Sequence, residues 1–124
     1  MKDITEAKRY LSNAKEILRE KALKEDGFYR DRKYVKMAGH TAYAGILVAL
    51  DSVLGDKKKG RKSVDWYKQE LSTRDKKILY AFLAAYDTLH LSMSYDGNLS
   101  TAISKEGMEL AEQIINWAEQ KTAA

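Results

Sequence analysis

Proline and cysteine are both absent from the 124 residues. Without proline no position is barred from a helix interior, so nothing local opposes an all-α fold. Without cysteine there is no disulfide framework, no thiolate nucleophile and no thiolate zinc site, and a reducing, cytoplasmic setting is expected. Only two histidines occur, His40 and His90, too far apart in sequence to bind zinc from one helix face. Glu-x-x-His is missing too, which removes the di-iron bundle class. There is no glycine-rich phosphate loop, nucleophile elbow or dinucleotide fingerprint; the KKKG of residues 57–60 lacks the preceding glycine. No metal and no cofactor is expected. Long apolar runs are also missing: His40, Thr41 and Asp51 interrupt the best candidate, so no membrane span is expected. The opening MKDITEAKRYL has no apolar core of a secretory signal.

What the chain does have is helical periodicity. Its length fits one domain, residues 1–124, able to bury about two thirds of the unfolded surface. Ile4, Ala7, Leu11, Ala14 and Leu18 alternate steps of three and four, with Tyr10 and Ile17 widening the stripe. This predicts a first helix starting at Asp3 or Thr5 and reaching about Lys24, with a Glu20–Lys24 surface pair. KEDGFYRDRK contains Gly27 and reads as a connection from which Phe28 and Tyr29 fold back onto the core.

The stretch YVKMAGHTAYAGILVALDSVL, Tyr34 to Leu54, is too apolar for an isolated helix and predicts the central helix, from near Asp31 to just before Gly55. Val35, Ala38, Ala42, Ile46, Ala49 and Val53 form one face. Ala38, Gly39, Ala42, Ala44 and Gly45 are small enough to let another helix approach closely. Ser63 suits the cap of a short helix, VDWYKQEL. Ser72 followed by Asp75 resembles a capping box opening the next long helix, whose Ile78, Phe82, Leu89 and Met93 have core spacing. SYDGN, residues 94–98, reads as a turn. A final helix runs from Leu99 or Ser100 to Gln120, with Gly107 inside it. The expected architecture is an antiparallel bundle of four long helices plus one short one.

Charge is uneven. Residues 1–62 carry 16 Lys/Arg against 9 Asp/Glu, +7, and residues 63–124 carry 6 against 9, −3. Lys57, Lys58, Lys59, Arg61 and Lys62 form a candidate anion-binding loop, although a helix C-terminus favours cations even with nothing bound. A candidate polar cleft would gather Arg32, Tyr34, Lys36, His40, Tyr43, Tyr86, Asp87 and His90: the histidines could act as acid or base if a partner helix supplied a carboxylate. The alternative is a pair of hydrogen-bonded boundary histidines. Asp51 and Asp87 lie near apolar faces, where a lysine or arginine partner is worth seeking. The eight tyrosines are read mainly as core-boundary residues.

The long first helix, the alanine-rich AGHTAYAGILVALDSVL and the amphipathic last helix resemble HEPN-type bundles, a superfamily with ribonucleases and nucleotide-binding domains. The run YRDRKYVKMAGHTAYAGILVALD is similar to a small uncharacterised bacterial family of helical bundles. The HEPN Arg-x4-6-His motif is absent: seven residues separate Arg32 from His40, nine Arg30 from His40, and fifteen Arg74 from His90. No catalytic residue is therefore carried over, while homodimerisation is what the resemblance implies. Three readings follow. The first is a non-enzymatic bundle that self-associates or binds a protein partner. The second is a divergent HEPN-like enzyme or binder acting on RNA or a nucleotide through Arg32, His40, Tyr43 and His90. The third is a nucleic-acid binder using residues 57–62.

Overall fold

The computed structural model describes residues 2–55 and 62–123. In chain order it contains helix α1 (Lys2–Glu20), a hairpin of β1 (Lys24–Glu25) and β2 (Phe28–Tyr29), helix α2 (Arg32–Leu54), short helix α3 (Val64–Ser72), helix α4 (Lys76–Ala85) running directly into a π-helical segment (Tyr86–Tyr95), and helix α5 (Thr101–Thr122). The all-α bundle of four long elements and one short helix is present, α4 and the π segment together forming one long element.

Side-chain pairs fix the directions. Lys8 meets Glu119 and Lys15 meets Glu112, so α1 and α5 run antiparallel. Gly39 abuts Leu89 and Met93 while Arg32 reaches Asp96 and Gly97, so α2 opposes the π segment. Gly107 abuts Leu89 while Trp117 reaches Asp75, which sets α5 against the α4–π element. The four long elements therefore alternate in direction along the chain, and α2 and α5, which also pack together, run parallel.

Four starts are capped by side chains. Asp31 accepts from Lys33 N at 3.1 Å, Ser63 from Trp66 N at 3.1 Å, Asp75 from Ile78 N at 3.1 Å and Ser100 from Ile103 N at 3.4 Å. Each such cap contributes about 1 kcal/mol. The expected box at Ser72 is not used: Ser72 ends α3, and Asp75 alone opens α4. Its second oxygen accepts from Trp117 Nε1 at 3.1 Å, tying the start of α4 to the end of α5.

The first helix differs at both ends from its sequence expectation. It begins at Lys2, so Asp3 and Thr5 lie inside it, and it stops at Glu20. Backbone contacts explain the stop: the Ala22 carbonyl accepts from Arg30 N and Asp31 N, and Leu23 adopts φ 59°. Lys24 thus lies in a strand, out of helical register with Glu20, whose cationic neighbour is Arg19 at 3.6 Å. Tyr29 packs on the core as expected, but Phe28 is 59% exposed, because strand alternation turns adjacent side chains to opposite faces.

The core runs through every helix. Phe82, Ile46, Leu50, Leu71, Leu89, Met93, Ile114 and Ile115 are fully buried, each worth about 1.5–3 kcal/mol of apolar transfer. Every member of the predicted α1 stripe is buried. By contrast Val53, Ile103, Leu110 and Trp117 are only partly buried at the core's edge, and Tyr80 and Tyr95 are exposed rather than at the boundary.

Two glycines wedge the π segment. A Cβ on Gly39 would lie 2.6 Å from Met93 Cβ, 2.7 Å from the Leu89 carbonyl and 2.9 Å from Ser94 N; one on Gly107 would meet Leu89 Cδ2 at 2.6 Å. The wider π backbone is thus pressed against α2 and α5 at places where those helices have no side chain. The segment ends with Asp96 N donating to the Leu91 carbonyl, and the predicted turn shrinks to residues 96–98 around Gly97, φ 66°.

Candidate functional site

The π segment determines which sequence candidates meet. Tyr86 and His90, one turn apart on it, stack with ring centroids 5.0 Å apart and planes at 24°. Tyr43 of α2 approaches both, 5.1 Å from His90 and 6.1 Å from Tyr86. Leu47, Lys62, Ser63, Val64 and Tyr67 complete a cleft of about 230 Å³ between α2, the π segment and the start of α3. Tyr43 is 8% exposed. Burial first, and the neighbouring Tyr86 second, push its hydroxyl well above the usual tyrosine range, so it remains a protonated donor at neutral pH.

Asp51 fastens the cleft's base. Tyr67 donates its hydroxyl to Asp51 Oδ1 at 2.9 Å, and Lys62 Nζ lies 3.4 Å from the same oxygen. The Lys62 side chain is only 7% exposed and sits over the Trp66 ring at 5.6 Å. A buried ammonium needs a paired carboxylate, and Asp51 provides it. The carboxylate near an apolar face thus has its lysine, supplied from the start of α3.

The remaining sequence candidates lie elsewhere. Arg32 donates from Nη1 to the carbonyls of Asp96 at 3.1 Å and Gly97 at 3.2 Å, satisfying acceptors where the π segment ends. The Lys36 stem lies against Gly97. Tyr34 is half-buried beneath Lys33, whose ammonium is 5.4 Å from the ring centroid. His40 and Asp87 are exposed, and the ring contacts in the cleft belong to His90, not His40. Arg32, His40, Tyr43 and His90 therefore share no single cleft. Of the basic loop, Lys57, Lys58, Lys59 and Arg61 lie outside the described residues, whereas Lys62 is the cleft lysine.

Chemically, the cleft offers an aromatic wall, one imidazole, a protonated phenol and an ammonium already paired. Among the described residues no carboxylate hydrogen-bonds either histidine, and no group of three His, Asp or Glu could hold a metal ion. An imidazole without an orienting acid is a weak basis for acid–base or nucleophilic chemistry. Sequence spacing gave no signal for Leu47, Ser63, Val64 or Tyr67, because a cleft between separate elements is a product of their packing.

The match to a family model decides the relationship: residues 2–120 fit the domain of unknown function DUF5618. The chain belongs to that family. No curated protein matches it. Among solved structures, the chain is similar in fold and sequence to a protein of unknown function from Dyadobacter fermentans, 58% identical, with TM-score 0.92 over 97% of this chain and 96% of the other.

Proposed function

We propose that this DUF5618 bundle acts without catalysis, by pairing with a second copy of itself through the outer face of α2. The observation that carries the reading is the chemistry of that face. Met37, Thr41, Ala44 and Val48 follow one another at steps of four, three and four. None is charged, none is fully buried, and Met37 is 44% exposed. Arg32–Leu54 is long and apolar enough to cross a membrane by length and composition, with mean hydropathy 1.3 over its best window, yet only 50% of that window is buried in the bundle. The uncharged strip centred on Ala44, with Met37 exposed and Thr41, Ala44 and Val48 half-buried, is the surface this helix offers for a further cover.

A second α2 fits this face. Ala44 and Thr41 are small enough for close helix approach, and a two-fold crossing near Ala44 makes the contact self-complementary. Run antiparallel, the start of one helix, with Lys33, lies toward the negative end of the partner helix's dipole.

Sedimentation equilibrium from micromolar to millimolar concentration tests it. The wild type should form a dimer, and Ala44→Glu should raise the dissociation constant at least about a hundredfold, since two like charges would face each other at the axis. Met37→Lys should weaken the pair in the same direction. A wild type that stays monomeric throughout, or an Ala44→Glu protein that pairs as tightly, overturns the proposal; circular dichroism verifies that each variant is folded.

A further inference from the structure

A second and larger concavity, about 490 Å³, lies between α1, the opening turns of α5 and the hairpin. Its composition is two-sided. Leu18, Ala102, Met108 and the Tyr29 ring give it an apolar lining, while Lys15, Arg19, Lys24 and Lys105 bring four cations and no carboxylate lines it. Two cations are partly answered nearby, Lys15 by Glu112 at 2.9 Å and Arg19 by Glu20 at 3.6 Å. Lys24 and Lys105 have no ion-pair partner among the described residues.

One of the lining residues carries an unspent polar group. Ser104, 1% exposed, is the one buried side chain among the described residues whose oxygen lacks any hydrogen-bond partner. Burying a hydroxyl unpaired is unfavourable, and such groups are uncommon in native cores. The hairpin wall is also held in a definite shape: Tyr29 N donates to Leu99 O at 2.8 Å, and Thr101 donates from both N and Oγ1 to Gly27 O at 3.0 and 2.9 Å. Leu23 and Asp26 adopt φ 59° and 51° there, conformations that non-glycine residues seldom keep unless surrounding contacts enforce them.

We propose that this groove binds a small organic anion with an apolar body. The head group lies between Lys24 and Lys105, and the hydrocarbon or ring lies over Leu18 and Met108. Cations alone would suit inorganic phosphate, and apolar lining alone would suit a neutral hydrocarbon. Their combination in a concavity of ligand-pocket size selects a molecule with both parts. A nucleic-acid backbone fits less well, since it calls for an extended basic track and has no use for an apolar lining.

The test is a fluorescence titration at low salt with 8-anilinonaphthalene-1-sulfonate, an aromatic anion, followed by competition. Decanoate should displace the probe, with decanol and inorganic phosphate each at least tenfold less effective. The double variant Lys24→Glu, Lys105→Glu, altering two exposed side chains, should lose at least tenfold in probe affinity with its melting temperature unchanged. Ala102→Trp, which fills the groove from its rim, should lower affinity as well. Equal competition by decanol would reduce the groove to an apolar patch, equal competition by phosphate would reduce it to a basic one, and undiminished binding by the double variant would place the probe elsewhere. Each of these results overturns the proposal. Ala44→Glu, which breaks the proposed dimer, should leave probe binding unchanged, so the two proposals fail separately.

Discussion

The inner and outer faces of α2 are built from the same kinds of residue and meet opposite fates. Inside, Ala38, Gly39, Ala42, Gly45 and Ile46 are buried, and the two glycines admit neighbouring elements to contact distance. Outside, Thr41 and Ala44 are equally small and uncharged but only half-buried. The difference teaches that small side chains on a helix specify how near a neighbour can come, without saying whether the neighbour is another part of the same chain. On the inner face it is the π segment and α1; on the outer face we assign it to a second copy.

Substitutions on α2 grade this contrast. The largest effect should come from Gly39→Ala, whose methyl would lie 2.7 Å from the Leu89 carbonyl and 2.9 Å from Ser94 N. Backbone cannot rotate away as a side-chain tip can, so overpacking should cost about 3 kcal/mol even after the gain in helix propensity. Urea denaturation measures it, and a loss under about 1 kcal/mol would show that the π segment is not held as tightly as the geometry requires. Gly45→Ala should do less. Its methyl would meet Tyr10 Cβ at 3.0 Å and the Ala7 carbonyl at 3.1 Å, so α1 need move only a few tenths of an ångström, and the net loss should be about 1 kcal/mol or below.

The smallest change belongs on the outer face. At concentrations where the protein is monomeric, Thr41→Ala should stabilise by about 0.5 kcal/mol through helix propensity alone. A clear destabilisation in the same denaturation experiment would mean that Thr41 already packs within the monomer, and the contrast between the faces would collapse.

Local pattern reached a long way into the fold. The α1 stripe, the span of α2 from its Asp31 cap to Gly55, the Ser63 cap and the start of α5 next to Ser100 are all in place, since periodicity and capping chemistry act within a few residues. The early end of α1 was not legible, because it depends on Ala22 accepting hydrogen bonds from Arg30 and Asp31 across the hairpin. Nor was the π geometry of Tyr86–Tyr95, whose apolar spacing suits an ordinary α-helix. The candidate residues divided for the same reason. Tyr43, Tyr86 and His90 converge, while Arg32 was drawn to the carbonyls of Asp96 and Gly97 and His40 was left at the surface. Lys24 and Lys105 gave no sequence signal as a pair, being ordinary surface lysines until the hairpin and α5 place them around one groove.

By itself the sequence determined an all-α chain with an apolar second helix, because the period of hydrophobic residues, the capping side chains and the lack of proline all act through the local backbone. Only the tertiary structure decided which side of that helix is covered, which histidine joins the tyrosines and which lysines border a groove. Those outcomes turn on close approaches between residues far apart in the chain, and a difference of a few ångströms there has no counterpart in local sequence pattern.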